Sequence, residues 1–390
     1  MSTIAGIFFA SRRLGCQVAT GWRARGVRLT SSDGATGTGR GERREAVAVY
    51  DVVLLTLGSE RDASGGCGSG DACCGGATGG SPAHDGDADG SPEQAGGERC
   101  ETPRVPVLAC ADALTARGAR VDTVTARSDK EIDEVLARLD GPPRPDGLTW
   151  PDPDSKTRLV VATASDAQLR AVLRRLVRRY APPPSRRPDD LASNRTVPDL
   201  PPVGVLPLDP ARSTAHRDLA AQLNLPRDPV AVAAAVLDGT ARRLDLLRND
   251  GGSVTLDGAL LGAADDQGRP LHWRGRVEVD DTVLSNGDEP LLACAIGNAG
   301  GYARLTDVAL LGTPDPTDGK VEVAVAVPVV TRSALGRKRV RLEVRRARGR
   351  AASVLPRDEK LPYLDDGVAG ELSRKRSWWT EPGAWAVWAV

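Results

Sequence analysis

LVVATASDAQLRAVLRRLVRRY, Leu159 to Tyr180, opens as an unbroken apolar run and closes as a basic amphipathic helix. A continuous apolar, β-branched run suits a strand covered on both faces, as in a parallel sheet. A strand passing straight into a helix is the unit from which parallel α/β layers are built. The turn between them, Thr163-Ala164-Ser165-Asp166-Ala167-Gln168, contains no glycine. Turns that hold phosphate at such places use glycine, because backbone N–H groups must close on the ligand without Cβ atoms in the way.

The same alternation continues on both sides. AVAVYDVVLLTL, Ala46 to Leu57, reads as a second buried strand. VPVLACADALTARG is helical with a glycine stop, ARVDTVTA a short strand, and SDKEIDEVLARL a helix with Ser128 at its N-cap and Glu131 three residues on, a capping box. After a Pro-rich loop, VGVLPL from Val203 is another short buried strand, followed by a helical stretch ending near Leu225. From about Arg242 the period changes. RRLDLLRN, RGRVEVDDTVL, EPLLACAIGN and KVEVAVAVPVV are short alternating or β-branched segments split by Gly, Asp and Asn turns, which predicts an antiparallel sandwich or barrel. The fold class is therefore α/β followed by all-β. Residues 1–44 are expected to hold little order, 45–240 to form the α/β domain and 241–390 the β-sandwich domain. The Gly-, Ser-, Asp- and Cys-rich stretch 58–104 is expected to be a disordered insertion.

Lys+Arg and Asp+Glu both number 52, so the formal net charge is zero. That argues against a general nucleic-acid binder, which carries a basic excess. Four of the seven cysteines (Cys67, Cys73, Cys74, Cys100) fall in or beside the Gly-rich stretch without CxxC spacing, which suits neither a disulfide framework nor a zinc site. Asp85, Asp87 and Asp89 open like a calcium loop, but Pro92 intrudes and Gly96 stands at the twelfth position. The first residues have arginines after a very short apolar run, the wrong order for a signal peptide, and no apolar run reaches membrane-spanning length. The expectation is a soluble, cytoplasmic protein.

Several segments, in this order, resemble bacterial diacylglycerol kinase-like lipid kinases. VGVLPL and LAAQLNLPRDPVAVAAAVLDGTARRLDLLRNDG are similar to the part that follows the family's second glycine motif. LLACAIGNAGGYARL with PDPTDGKVEVAVAV resembles its sandwich, and YLDDGVAGELSRKRSWWTEPGAWAV its late Asp-Gly-Glu segment and the strand that returns to the first domain. The similarity runs over roughly Ala46 to Val390 outside the insertion. It implies an α/β domain of the NAD-kinase and diacylglycerol-kinase type, then a β-sandwich, with the nucleotide in the cleft between them. It further implies ATP and Mg2+ as cofactors and a lipid or other hydroxyl acceptor at a membrane surface; a homodimer is one of the oligomeric states left open.

The family's first motif, Gly-Gly-Asp-Gly-Thr, falls on Ala164, Ser165, Asp166, Ala167 and Gln168, and keeps only the aspartate. Its second falls on Leu208 to Asp218, where Asp218 matches the final aspartate and Arg217 stands for asparagine. Thr56 to Glu60 keep little of an Asn-Pro-x-Ser-Gly motif. Ser165, Asp166 and Asp218 are the nucleotide-site candidates this carries over. Asp166 equally suits a helix N-cap. Asp366 matches the acid that deprotonates the acceptor hydroxyl, although the family's glutamate is Val368 here; Asp366-Gly367 is also a favoured hairpin turn. Asp315 and Asp318 stand where the family has acids associated with magnesium, and flank a common type of turn before Gly319. Arg337 to Arg350 is a basic run with Val340, Leu342 and Val344 interleaved, which suits either an anionic surface or the solvated face of a strand. Arg174, Arg175, Arg178 and Arg179 read as the exposed face of their helix. Two function classes follow: ATP-dependent phosphoryl transfer to a lipid hydroxyl, or a catalytically degenerate kinase fold acting as a binding or regulatory module.

Overall fold

The structure, a computed structural model, describes residues 49–58, 105–208, 218–300, 304–305, 308–332, 338–357 and 360–389. The expectations for 1–44, for 58–104 beyond Gly58 (with its cysteines and Asp85 to Asp89), and for Arg217 and Arg337 fall outside these residues.

The first half is a three-layer α/β unit. Its elements are β1 (Asp51–Leu57), α1 (Val105–Ala116), β2 (Arg120–Ala126), α2 (Asp129–Leu136), β3 (Thr157–Thr163), α3 (Asp166–Tyr180), β4 (Pro202–Pro207), the one-turn α4 (Leu219–Gln222) and α5 (Pro229–Asp238). The strands lie side by side as β2-β1-β3-β4, all parallel. Alternation along each strand feeds two cores. Val53, Leu55, Leu159 and Val161 pack with Ile132 and Leu136 of α2 and Leu169, Leu173 and Leu176 of α3. Val52, Leu54, Val160 and Ala162 pack with Leu114 of α1 and Val232 and Val236 of α5. Gly204 permits the close seat of α5, since a Cβ there would come within 2.6 Å of Val236. The capping box forms: Ser128 accepts from Glu131 N (3.3 Å), and Glu131 reaches back to Arg127 N (2.7 Å).

The second half contains β5 (Thr240–Asn249), β6 (Val254–Thr255), β7 (Gly258–Leu261), β8 (Ala263–Ala264), β9 (Pro270–Leu271), β10 (Gly275–Val279), β11 (Thr282–Asn286), β12 (Ala293–Gly297), β13 (Arg304–Leu305), β14 (Val308–Ala309), β15 (Val321–Arg332), β16 (Lys338–Gly349), β17 (Ala351–Pro356), β18 (Leu361–Asp365), β19 (Val368–Leu372) and β20 (Arg376–Ala389). One antiparallel sheet runs β16-β15-β12-β7-β18-β19. Facing it are β11-β10-β17-β20 and β5; Val277, Val354, Leu247 and Trp378 from these strands meet Leu261, Ile296, Val323 and Leu361 of the first sheet. This is the predicted sandwich. Its second sheet does not end there. β20 pairs with β17 and β5 near its start, shifts register between Glu381 and Trp385, and ends parallel to β4. A single sheet thus threads both halves and fixes the seam where the candidate site lies. Among the described residues no helix is long and apolar enough to cross a membrane.

Candidate functional site

Ligands of open α/β sheets sit beyond the carboxyl ends of the strands. Here that edge is the β3–α3 turn, the β4–α4 connection and the sandwich turns above them. Ser165 is the N-cap of α3 in extended conformation, but its side chain makes no capping bond. Gln168 supplies one instead: its Oε1 accepts from Ala164 N at 2.8 Å. Ser165-x-x-Gln168 has capping-box spacing, and its reciprocal arm closes one residue further back than usual. The N–H that a phosphate loop would offer a ligand is therefore bonded within the chain.

Asp166 points to the neighbouring connection, accepting from Leu219 N at 3.2 Å. Asp218 caps α4 through Ala221 N (2.9 Å) and pairs with Arg227. The structure thus places Asp166 and Asp218 near each other, with Ser165 next to Asp166 in the chain. Burial pushes the Asp166 carboxyl up to about 7, helped by the charge of Asp366; the Leu219 N–H and Arg227 oppose it.

Asp366 and Gly367 form the two-residue turn between β18 and β19, with Asp365 opposite Val368. Both turn residues have positive φ (48° and 81°), as the hairpin geometry favoured by Asp-Gly requires. The Asp366 carboxylate faces inward. It accepts from Leu256 N (2.6 Å), Asp257 N (2.9 Å) and Gly258 N (3.1 Å), and its own N–H donates to Gly258 O (3.0 Å). Asp366 is 0% exposed. A general base must touch the hydroxyl it deprotonates, and this carboxylate touches its own backbone. In this geometry the Asp366 carboxylate braces the backbone of Leu256, Asp257 and Gly258.

Arg170, one turn along α3 from Asp166, completes the seam. Its guanidinium donates to Asp365 Oδ2 (2.8 Å), Ser253 Oγ (2.8 Å) and Val254 O (2.7 Å), and Nε lies 3.8 Å from Asp366 Oδ2. Burial raises the carboxyls of both Asp365, to about 7, and Asp366, while the Arg170 charge opposes the rise. The α/β layer is thereby joined to the sandwich by a buried ion pair.

The turn with the candidate metal ligands lies beside β5. Asp315 accepts from Thr317 N (2.9 Å) and Thr317 Oγ1 (2.6 Å); Asp318 accepts from Lys320 N (2.9 Å) and pairs with Arg348. Among the described residues no group of three or more His, Cys, Asp or Glu stands together to hold a metal. A cation at Asp318 would have to displace Arg348. The turn is anchored by Asp245, 1% exposed, which accepts from Gly319 N (2.6 Å) and Gly383 N (2.8 Å). Burial raises its carboxyl, and Asp318 and Asp315 add to the rise.

Gln168, Arg170 and Asp245 were missed from the sequence. The spacing from Ser165 could have revealed Gln168. Arg170 stands between Leu169 and the apolar stripe at Leu173, and Asp245 interrupts the buried run LDLL; a charge within an apolar face signals an internal partner. Of the other α3 arginines, Arg178 is exposed as expected, while Arg174, Arg175 and Arg179 are half-buried. Arg175 binds Asp133 (2.7 Å) and Arg179 binds Asp140 (2.5 Å), riveting α3 to α2 and the segment after it.

No protein-family model and no curated protein matches the chain. Solved structures do. Two are crystal structures of candidate diacylglycerol kinases from Bacillus anthracis str. Sterne, each with a TM-score of 0.52. They share 9% and 8% identity, and each alignment covers 87% of this chain and 98% of the other. The chain spans nearly the whole length of these structures and has their fold: a kinase-type α/β domain followed by a β-sandwich.

Proposed function

We propose that this chain is a kinase-fold binding or regulatory module that does not transfer phosphate. The observation that carries this reading is Arg170, lodged between α3 and the sandwich with its donors on Asp365, Ser253 and Val254. A triphosphate at the carboxyl edge would bring its negative charge among Asp166, Asp218 and Asp365. Among the described residues, the nearby cations Arg170 and Arg227 are engaged by acids of the chain itself. The glycines that would admit it are replaced, and Gln168 already bonds the first N–H of the turn. These residues do not fit ATP with Mg2+. Calorimetric titration of the full chain with ATP and magnesium tests this. No heat of binding is expected up to millimolar nucleotide; micromolar binding would overturn the reading.

A second reading, ATP-dependent phosphoryl transfer to a lipid hydroxyl, draws support from Asp166 and Asp218. They lie together at the carboxyl edge, and Asp166 has a carboxyl near neutrality. It requires Arg170 to leave its place. Transfer of labelled phosphate to diacylglycerol in mixed micelles, lost in Asp166→Asn, would establish it; no transfer by the unmodified chain would remove it.

A further inference from the structure

In the α/β layer β2 is the last strand of the sheet: it pairs with β1 and, among the described residues, with no other strand. Arg120 N donates to Tyr50 O (2.9 Å), and Ala126 O accepts from Gly58 N (3.0 Å). Backbone groups of successive strand residues point to opposite edges. Arg120, Asp122, Val124 and Ala126 therefore face β1, while Val121, Thr123 and Thr125 turn their N–H and C=O groups outward. The strand pairs with β1 without a bulge, contains no proline, and leaves Thr123 and Thr125 exposed. An edge with none of these protections is a template for another strand.

The side chains along this edge fit a second copy of the chain. α5 packs along α1 on the side of β3 and β4, so the other flank of α1 overhangs the open edge. In a right-handed β1–α1–β2 crossover that flank carries Leu108, Ala111 and Thr115. Leu108 is 49% exposed. On the same face of β2 stand Thr123, Thr125 and Val121, which packs into the core beneath α1. None of these side chains is charged. On the opposite face of β2 the charges come in matched pairs, Arg120 with Asp51 and Asp122 with Arg138. A margin neutral on one face and balanced on the other does not repel its own copy, and the whole chain has zero formal net charge. An acidic or basic peptide would find no excess of opposite charge there. Antiparallel pairing of β2 with β2 of a second copy uses the same surface on both chains. Centred on Thr123, it sets Val121 opposite Thr125 of the second copy. It also brings Leu108 toward Thr115 of the second copy, with Ala111 near the axis.

We infer that two copies of this chain associate through the open edge of β2 and the flank of α1 above it, about a two-fold axis at Thr123. This does not rest on whether the seam binds nucleotide or transfers phosphate. Sedimentation velocity of the full chain across the micromolar range tests it. The parent is expected to sediment as two chains. Thr123→Lys and Thr123→Glu each set like charges against each other across the axis, so each variant should sediment as one chain. Mixed in equal amounts, the two variants should return to the double mass, because opposite charges then meet. Thr123→Pro should also give a single folded chain, since proline removes an N–H that only the second copy uses. A parent of single mass, whether its edge is bare or covered by another part of the chain, would overturn the proposal. So would a double mass that persists in both charged variants, or one that their mixture fails to restore.

Discussion

The seam between the two halves and the end of the β15–β16 arm use charge in opposite ways. At the seam Arg170 is answered by Asp365 and Asp366, Arg227 by Asp218, and the Asp366 carboxylate by three backbone N–H groups. At the arm, basic residues and bare valines gather without acids among them. Charges buried with partners are costly to disturb, because removing one leaves the other uncompensated in a medium of low dielectric. Exposed charges cost little to remove, because water already solvates them. The contrast is between charge held by internal partners at the seam and charge left without acids close by in sequence at the arm.

The sharpest way to break this comparison is Arg170→Ala. It strands Asp365 and Asp366, and should cost about 3–5 kcal/mol in urea unfolding. A loss below about 1 kcal/mol would mean that the seam is not held by this pair. Asp366→Ala comes next. It orphans three buried amides and places alanine at positive φ, for an expected loss of about 3 kcal/mol. Asp366→Asn tolerates that φ and keeps one acceptor oxygen, so it should recover part of the loss. A base with no structural role would leave both variants as stable as the parent.

Asp365 yields a test in pH. Its carboxyl is raised from 3.8 to about 7 in the folded chain. Across that window the folded state holds a proton that the unfolded state has released, so this group's contribution to stability falls as pH rises. Asp365→Asn should flatten the decline of stability between those values. Parallel curves for parent and variant would assign the titration elsewhere.

Gln168→Ala should cost about 1 kcal/mol, the usual worth of a helix cap. The smallest effect is expected at the arm, where Arg341→Gln should alter stability by no more than about 0.5 kcal/mol. If Arg341→Gln destabilised the chain as Gln168→Ala does, the contrast between bracing and surface would lose its basis.

Much of the fold was legible. The strand and helix of Leu159 to Tyr180, the capping box at Ser128 and the change of period near Arg242 all report local rules, and these segments formed as predicted. The site was legible only in outline. Asp166 and Asp218 do lie near each other, because each terminates a strand-to-helix connection at the same sheet edge. Asp366-Gly367 could be read as a base or as a turn, and its sequence alone does not decide, since the same dipeptide serves both. The direction of its carboxylate depends on Leu256, Asp257 and Gly258, some 110 residues earlier.

From sequence alone came what depends on neighbours along the chain: periodicity, caps, turns, and the loss of glycine from Ala164 to Gln168. Tertiary structure decided what depends on residues far apart. β20 carried one sheet through both halves and thereby set the height of the sandwich over α3. At that height Arg170 reaches Asp365, 195 residues away. Whether a buried charge finds a partner is a matter of three-dimensional distance and desolvation, and neither is a local property of the chain.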